Sequence, residues 1–94
     1  MKLKIYEVER VRDDGKDEHK LQFWYLDYAD AVEKFKKLVE EEKQVDWIEE
    51  ALTMENDEHY RSELREAVDY WCVTVDYYLD CMYSAVTITE REVF

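Results

Sequence analysis

One glycine and no proline in 94 residues is the feature that most restricts what this chain can fold into. Only Gly15 can take a positive φ without a steric penalty, and nothing in the composition supplies a flexible linker. Regular elements joined by short turns are therefore expected. Asp13-Asp14-Gly15-Lys16 reads as the turn of a β-hairpin. Before it, Lys2 to Arg12 reads as a strand. Leu3 and Ile5 share one face, and the apolar phase then shifts to Tyr6 and Val8, which implies a bulge or a strand with two apolar sides. After it, Glu18 to Leu26 reads as a second strand, with Leu21, Phe23 and Tyr25 alternating against Lys20, Gln22 and Trp24.

The middle of the chain carries helical spacing. Asp27 has the chemistry of an N-cap, with Asp30 in the first turn behind it. Val32, Phe35, Leu38 and Val39 form an apolar stripe, and Asp30–Lys34 and Glu33–Lys37 are i,i+4 pairs for the wet side. Asp46-Trp47-Ile48-Glu49 reads as a capping box opening a shorter helix that carries Ile48, Ala51 and Leu52. A third helix is expected from Asn56 or Asp57, with Tyr60, Leu64, Ala67, Val68 and Trp71 on one side.

Two patterns then overlap. Trp71, Val73, Val75, Tyr77 and Leu79 alternate as in a strand, while Leu64, Val68, Trp71, Val75, Tyr78 and Met82 continue a heptad. Val73-Thr74-Val75 and the tyrosine pair favour the strand. Ser84 to Val93 is a strand on either pattern. The sum is an α+β fold over residues 1–94 as a single domain. A small antiparallel sheet, the N-terminal hairpin plus one or two C-terminal strands, has two or three helices packed on one face.

Three Trp, eight Tyr and three Phe supply a core and argue against disorder, although 40% of the residues are charged. Met1 to Glu7 lacks the apolar stretch of a signal peptide, and no run reaches the ~18 apolar residues of a membrane span. A cytoplasmic location follows as the expectation. There Cys72 and Cys81 should be reduced, buried or half-buried thiols. The net charge of −12 is unevenly placed. Residues 1–39 hold nine acids and nine bases, whereas residues 40–69 hold twelve acids against Lys43, Arg61 and Arg65. Such a field repels nucleic acid and anionic membrane and attracts basic protein surfaces.

The acids concentrate in Glu40, Glu41, Glu42, Asp46, Glu49, Glu50, Glu55, Asp57 and Glu58, with Lys43 the one cation among them. On a continuous helix, Glu42, Asp46 and Glu49 make a row at i, i+4, i+7. Its repeat of ~5.4 Å is comparable to the through-space spacing of successive phosphates. A solvated face that keeps a small protein soluble is the plain alternative. A merely solvated face would mix signs, as residues 30–37 do. Trp47, inside this segment, suits an anchor on a partner or a core position at one end of the sheet. Trp24 and Tyr28 carry the same two readings, with the core preferred for all three.

Other constellations are weaker. Glu55, His59 and Glu63 at i, i+4, i+8 do not converge on a tetrahedral ion, so His59 and His19 read as surface residues. Cys72 and Cys81 lack redox spacing, Ser62 and Ser84 lack a strained elbow, and one glycine cannot build a phosphate loop. The pattern points away from an enzyme, and no metal or cofactor is expected.

In length, net charge, aromatic content and the acid-rich stretch from Glu40 to Glu58, the chain resembles the small acidic inhibitors that bacteriophages and mobile elements encode against host nucleic-acid enzymes. Restriction antagonists, anti-CRISPR proteins and uracil-glycosylase inhibitors are examples. The resemblance implies a phage-encoded DNA mimic occupying the basic groove of a host nuclease, CRISPR effector or repair enzyme. It is one of class and carries over no residue roles. The competing expectation is a module that docks on another kind of partner, or pairs with itself through an exposed strand edge.

Overall fold

The structure, a computed structural model, describes residues 3–78 and 80–93. Its first turn lies where the single glycine dictates. β1 (Leu3–Asp13) and β2 (Glu18–Tyr25) pair from Tyr6↔Tyr25 to Asp13↔Glu18. Gly15 between them adopts φ +90, and the Asp13 and Asp14 carboxylates accept from the backbone N–H of Gly15, Lys16 and Asp17. β1 needs no bulge: its register is continuous against β2 and also against the last strand, β5 (Asp80–Val93). Tyr6, Val8, Arg10 and Arg12 point to the helix side, which places Leu3 and Ile5 on the opposite face.

α1 (Tyr28–Glu42) starts as its sequence requires, the Asp27 carboxylate accepting from the Ala29 N–H at 2.8 Å. It buries Ala31, Phe35, Leu38, Val39 and also Glu42. Lys34 lies over the ring of Phe23 with Nζ 4.2 Å from the centroid. α2 (Asp46–Thr53) is separate, and its N-cap is Val45, with no side-chain cap. Asp46 is thus the first helical residue and not the capping residue. Asp46 and Glu49 still suit the first turn, where the helix dipole favours anions.

The expected third helix is a strand. β3 (Tyr60–Ala67) and β4 (Tyr70–Tyr77) form a hairpin paired from Tyr60↔Tyr77 to Ala67↔Tyr70. The sequence signal was a real hydrogen-bonding motif with two outcomes. The Asp57 carboxylate accepts from the N–H of His59 and Tyr60 at 2.7 and 2.8 Å, as an N-cap does, but it closes a turn that leads into an extended chain. Pairing against Val73-Thr74-Val75 then decides the conformation. Glu55, His59 and Glu63 accordingly lie on a loop and a strand and never share a helix face. The strand expected over 71–79 is β4; Leu79 lies outside the described residues. Tyr78 turns the chain with φ 56, a left-handed conformation taken by a bulky residue where no glycine exists.

The sheet order is β2-β1-β5-β4-β3, antiparallel throughout. The α+β class stands, with five strands and two helices where fewer strands and up to three helices were expected. α1 covers β5, β1 and β2, and α2 covers β3 and β4. Trp71, Val73 and Val75 from β4, Val86 and Ile88 from β5 and Val8 from β1 meet the helices in one core. Fully burying a side chain such as Leu38 or Ile48 contributes roughly 1.5–3 kcal/mol. No helix among the described residues is long and apolar enough to cross a membrane.

One sheet face carries no helix. With a central strand of fourteen residues, the molecule measures 54 × 22 × 17 Å. Its radius of gyration is 15.1 Å, against about 12 Å for a compact chain of this length. Its surface of 6718 Å² also exceeds the ~5,800 Å² expected from its mass.

Candidate partner-binding site

The topology gathers the acid-rich segment at one end of the sheet. Asp13 pairs with both Glu18 and Tyr83, Tyr77 pairs with Asp80, and Tyr60 pairs with Tyr77. The β1–β2 and β4–β5 turns, the end of α1, α2 and the start of β3 lie together. A Cβ on Gly15 would sit 3.8 Å from Cys81 O and Met82 Cγ, so the first turn abuts the beginning of β5. Asp14, Asp17, Glu18, Asp76 and Asp80 join the same end as exposed acids.

Eight of the nine carboxylates from Glu40 to Glu58 face solvent: Glu40, Glu41, Asp46, Glu49, Glu50, Glu55, Asp57 and Glu58. Glu42 does not. Its side chain is 0% exposed and is held by Arg12 Nε at 2.8 Å, Arg10 Nη1 at 3.1 Å and Ser84 Oγ at 2.8 Å. Burial pushes the Glu42 carboxyl up, but the hydrogen bonds from Arg12 and Ser84 and the charges of Arg12 and Arg10 outweigh it. The group stays below the usual carboxylate range. Removing Glu42 from the surface breaks the expected Glu42–Asp46–Glu49 row, as does the break between α1 and α2. Most of the exposed acids form a cap over one end rather than a line, and Glu40 lies apart on the rim of a depression over Trp71.

Local structure accounts for some of these acids. Asp46 and Glu49 complement the α2 dipole, Asp57 closes its turn, Glu40 pairs with Lys43 at 3.4 Å and Glu58 with His59 at 3.2 Å. It does not account for the rest. Glu41 sits in the last turn of α1, which holds no base and where the dipole disfavours anions.

Beside the cap is a cleft of about 240 Å³, lined by Trp47, Glu50, Met54, Tyr60, Val75, Tyr77 and Met82. Trp47 is half-buried against the core, as its core reading expected, and also forms one wall. Tyr60 is 6% exposed, and its hydroxyl has no hydrogen-bond partner among the described residues. Burial and then the Glu50 charge push the Tyr60 hydroxyl pKa up, and both residues line the cleft. Tyr77 is pushed up by Tyr78, by burial, and further by Asp57 and Glu50. Tyr78 continues the aromatic rim, edge-on to Tyr77 at 4.5 Å and stacked on His59 at 5.0 Å. Sequence reasoning found Trp47 but missed Tyr60, which it placed on the expected third helix, and Tyr77, which it placed on the right strand without joining it to a site.

Trp24 and Tyr28 are not core residues: Trp24, on the open face, is 56% exposed, and Tyr28 is exposed at the start of α1. Cys72 is half-buried as expected, whereas Cys81 is exposed, and both are free thiols. Asn56 brackets Ser62, accepting from its N–H at 2.8 Å and donating to its C=O at 3.3 Å. With Asp57 on Tyr60, this covers the outer edge of β3 over its first residues. A second depression, about 310 Å³, lies over Trp71, but Lys36 and the acids Glu40 and Glu66 give its rim mixed charge. No group of three or more His, Cys, Asp or Glu among the described residues could hold a metal ion.

The fold and this end of it define an α+β protein with a five-stranded antiparallel sheet, helices on one face and an acidic cap around an aromatic cleft. Neither a protein-family model, nor a curated protein, nor a solved structure matches the chain.

Proposed function

We propose that this protein is a non-catalytic inhibitor that sets its acidic end into the basic, nucleic-acid-binding groove of another protein. One observation carries the reading: eight of the nine carboxylates from Glu40 to Glu58 face solvent, and among the described residues only Glu40, with Lys43, and Glu58, with His59, enter an ion pair, while Arg10 and Arg12 are committed to Glu42 inside the fold. A field of one sign at close range attracts a basic groove and repels the nucleic acid that competes for it. Because the phosphate-spaced row is absent, the competition is one of charge and shape rather than of register. The acidic phage-encoded inhibitors provide the class analogy.

Docking on a partner that does not bind nucleic acid is the second reading, and the aromatic cleft favours it. Self-pairing through β3 is opposed by Asn56 and Asp57, which occupy half of that edge.

The test is affinity capture from a bacterial lysate at low salt, followed by elution with duplex DNA or RNA at constant ionic strength. A basic protein released by nucleic acid, and not captured by a Glu49→Lys/Glu50→Lys variant, is the expected result. A partner indifferent to both nucleic acid and salt would overturn the groove reading.

A further inference from the structure

We infer that the cleft between α2 and the start of β3 and β4 is an anchor pocket for one arginine side chain of the partner. The guanidinium would lie against Trp47 and Tyr77, face Glu50 and donate to the Tyr60 hydroxyl. This inference deepens the docking proposed above and rests on it.

Tyr60 is the independent sign of a guest. A hydroxyl in a residue 94% buried, with no partner among the described residues, is a group that native structures pair in the great majority of cases. The Tyr60 side chain lines a cleft whose walls include three aromatic side chains and whose charged wall residue is an acid, with the hydroxyl buried just behind that wall. Aromatic faces and a carboxylate together select a flat cation. Guanidinium meets those requirements better than ammonium, because it is planar, stacks on rings and carries several donors to share between Glu50 and Tyr60. The volume of about 240 Å³ falls below the ~300–1,000 Å³ of pockets for free small molecules, which suits a side chain delivered by a larger body. Met54 and Met82, unbranched and flexible, can shift to admit a donor to the hydroxyl. Strain points to the same corner. Tyr78 holds φ 56 beside Tyr77, and bulky residues kept in that region cluster at ligand-binding surfaces.

The experiment titrates the intact protein with acetyl-Gly-Arg-Gly-amide, following the Trp47 indole and Tyr60 ring resonances by NMR. The same peptide with citrulline, which keeps the shape without the charge, is the control. Saturable shifts with arginine and none with citrulline are expected. Tyr60→Phe should weaken binding about threefold to tenfold, the worth of one hydrogen bond. It should leave the melting temperature unchanged or higher, because it removes an unpaired buried group. Glu50→Gln, at an exposed site, should weaken binding in the same way. Equal response to arginine and citrulline, or unaltered binding by Tyr60→Phe, would overturn the inference.

Poly-arginine separates this failure from failure of the underlying reading. If poly-arginine binds with steep salt dependence while Tyr60 and Trp47 do not respond, the acidic end stands and the pocket falls. If poly-arginine binding is absent or indifferent to salt, the groove reading falls as well.

Discussion

Replacing Glu42 by Gln tests whether the buried acid belongs to the fold rather than to the binding surface. The carboxylate accepts from Arg12 Nε and Ser84 Oγ on one oxygen and from Arg10 and Arg12 on the other. An amide in its place turns one of those acceptors into a donor facing donors, and it removes the counter-charge of two arginines. Breaking a buried pair from one side costs about 3–5 kcal/mol. The arginine side chains keep 13% and 25% of their surface in water, which relieves them in part, so about 3 kcal/mol is expected. For a domain of this size that lowers the melting temperature by roughly 15 °C. Urea titration followed by tryptophan fluorescence and far-UV circular dichroism reads the loss. Glu41→Gln, one residue away and exposed, should stay within ~0.5 kcal/mol of the wild type.

The pH dependence has a fixed sign. Glu42 is depressed in the folded state, so its contribution is complete above the unfolded carboxylate value of about 4.3 and is lost as pH falls through the folded value. The gap between wild type and Glu42→Gln should therefore be constant from pH 8 to about pH 5 and narrow below about pH 4. A loss under ~1 kcal/mol, or a gap that widens in acid, would refute the account of a charge held by two arginines. At temperatures where the variant is folded, its affinity for poly-arginine should fall modestly, since Arg10 and Arg12 lose the anion that neutralises them.

Three further outcomes follow from local geometry. Gly15→Ala should lose ~1–2 kcal/mol in urea titration, from the φ +90 backbone alone, because its new Cβ would meet only ordinary contacts at 3.8 Å; a larger loss would mean the turn is tighter than that. Cys81 is exposed, yet a hydrogen bond with Asp76, burial, and the Asp76 and Asp13 charges push its thiol up. It should react with Ellman's reagent at pH 7.5 more slowly than free cysteine, and Asp76→Asn should speed it. Tyr78→Asn relieves a left-handed strain of ~1–2 kcal/mol but removes ring contacts worth ~0.5–1.5 kcal/mol each. Stability should thus change little, while arginine-peptide affinity falls; a loss above ~2 kcal/mol would show that the ring serves the fold.

How much was legible in the sequence depended on whether a signal was local. The hairpin at Gly15, the Asp27 cap and the stripe Phe35–Leu38–Val39 are decided within a few residues, and the structure holds all three. Asp57 was ambiguous because its carboxylate accepts from the amides two and three residues on, His59 and Tyr60, as it would in a helix cap and as it does in this turn. Only the partner strand, Tyr70–Tyr77, distinguishes the two outcomes. Glu42 was unreadable for a related reason. Its neighbours Glu40 and Glu41 are exposed acids, and nothing nearby in sequence announces that Arg10, Arg12 and Ser84 will close around it. Trp24 and Tyr28 were misjudged because aromatic residues are usually core, and the uncovered sheet face is a property of the whole topology.

Charge and cleft have separable roles at the acidic end. Charge acts at a distance of about one Debye length, ~10 Å at 0.1 M salt, and draws in any basic groove without distinguishing one from another. Selectivity therefore has to come from contacts made after encounter. The elements that can make them, Trp47 from α2, Tyr60 from β3 and Tyr77 from β4, converge because α2 packs over the open end of the β3–β4 hairpin. The two contributions separate kinetically. Raising salt should slow association and leave dissociation nearly constant, because steering governs encounter. Tyr60→Phe should speed dissociation and leave association nearly constant, because short-range contacts govern residence. If salt and the Tyr60 substitution changed the same rate, the cleft would be one more part of the charged surface and would confer no selectivity.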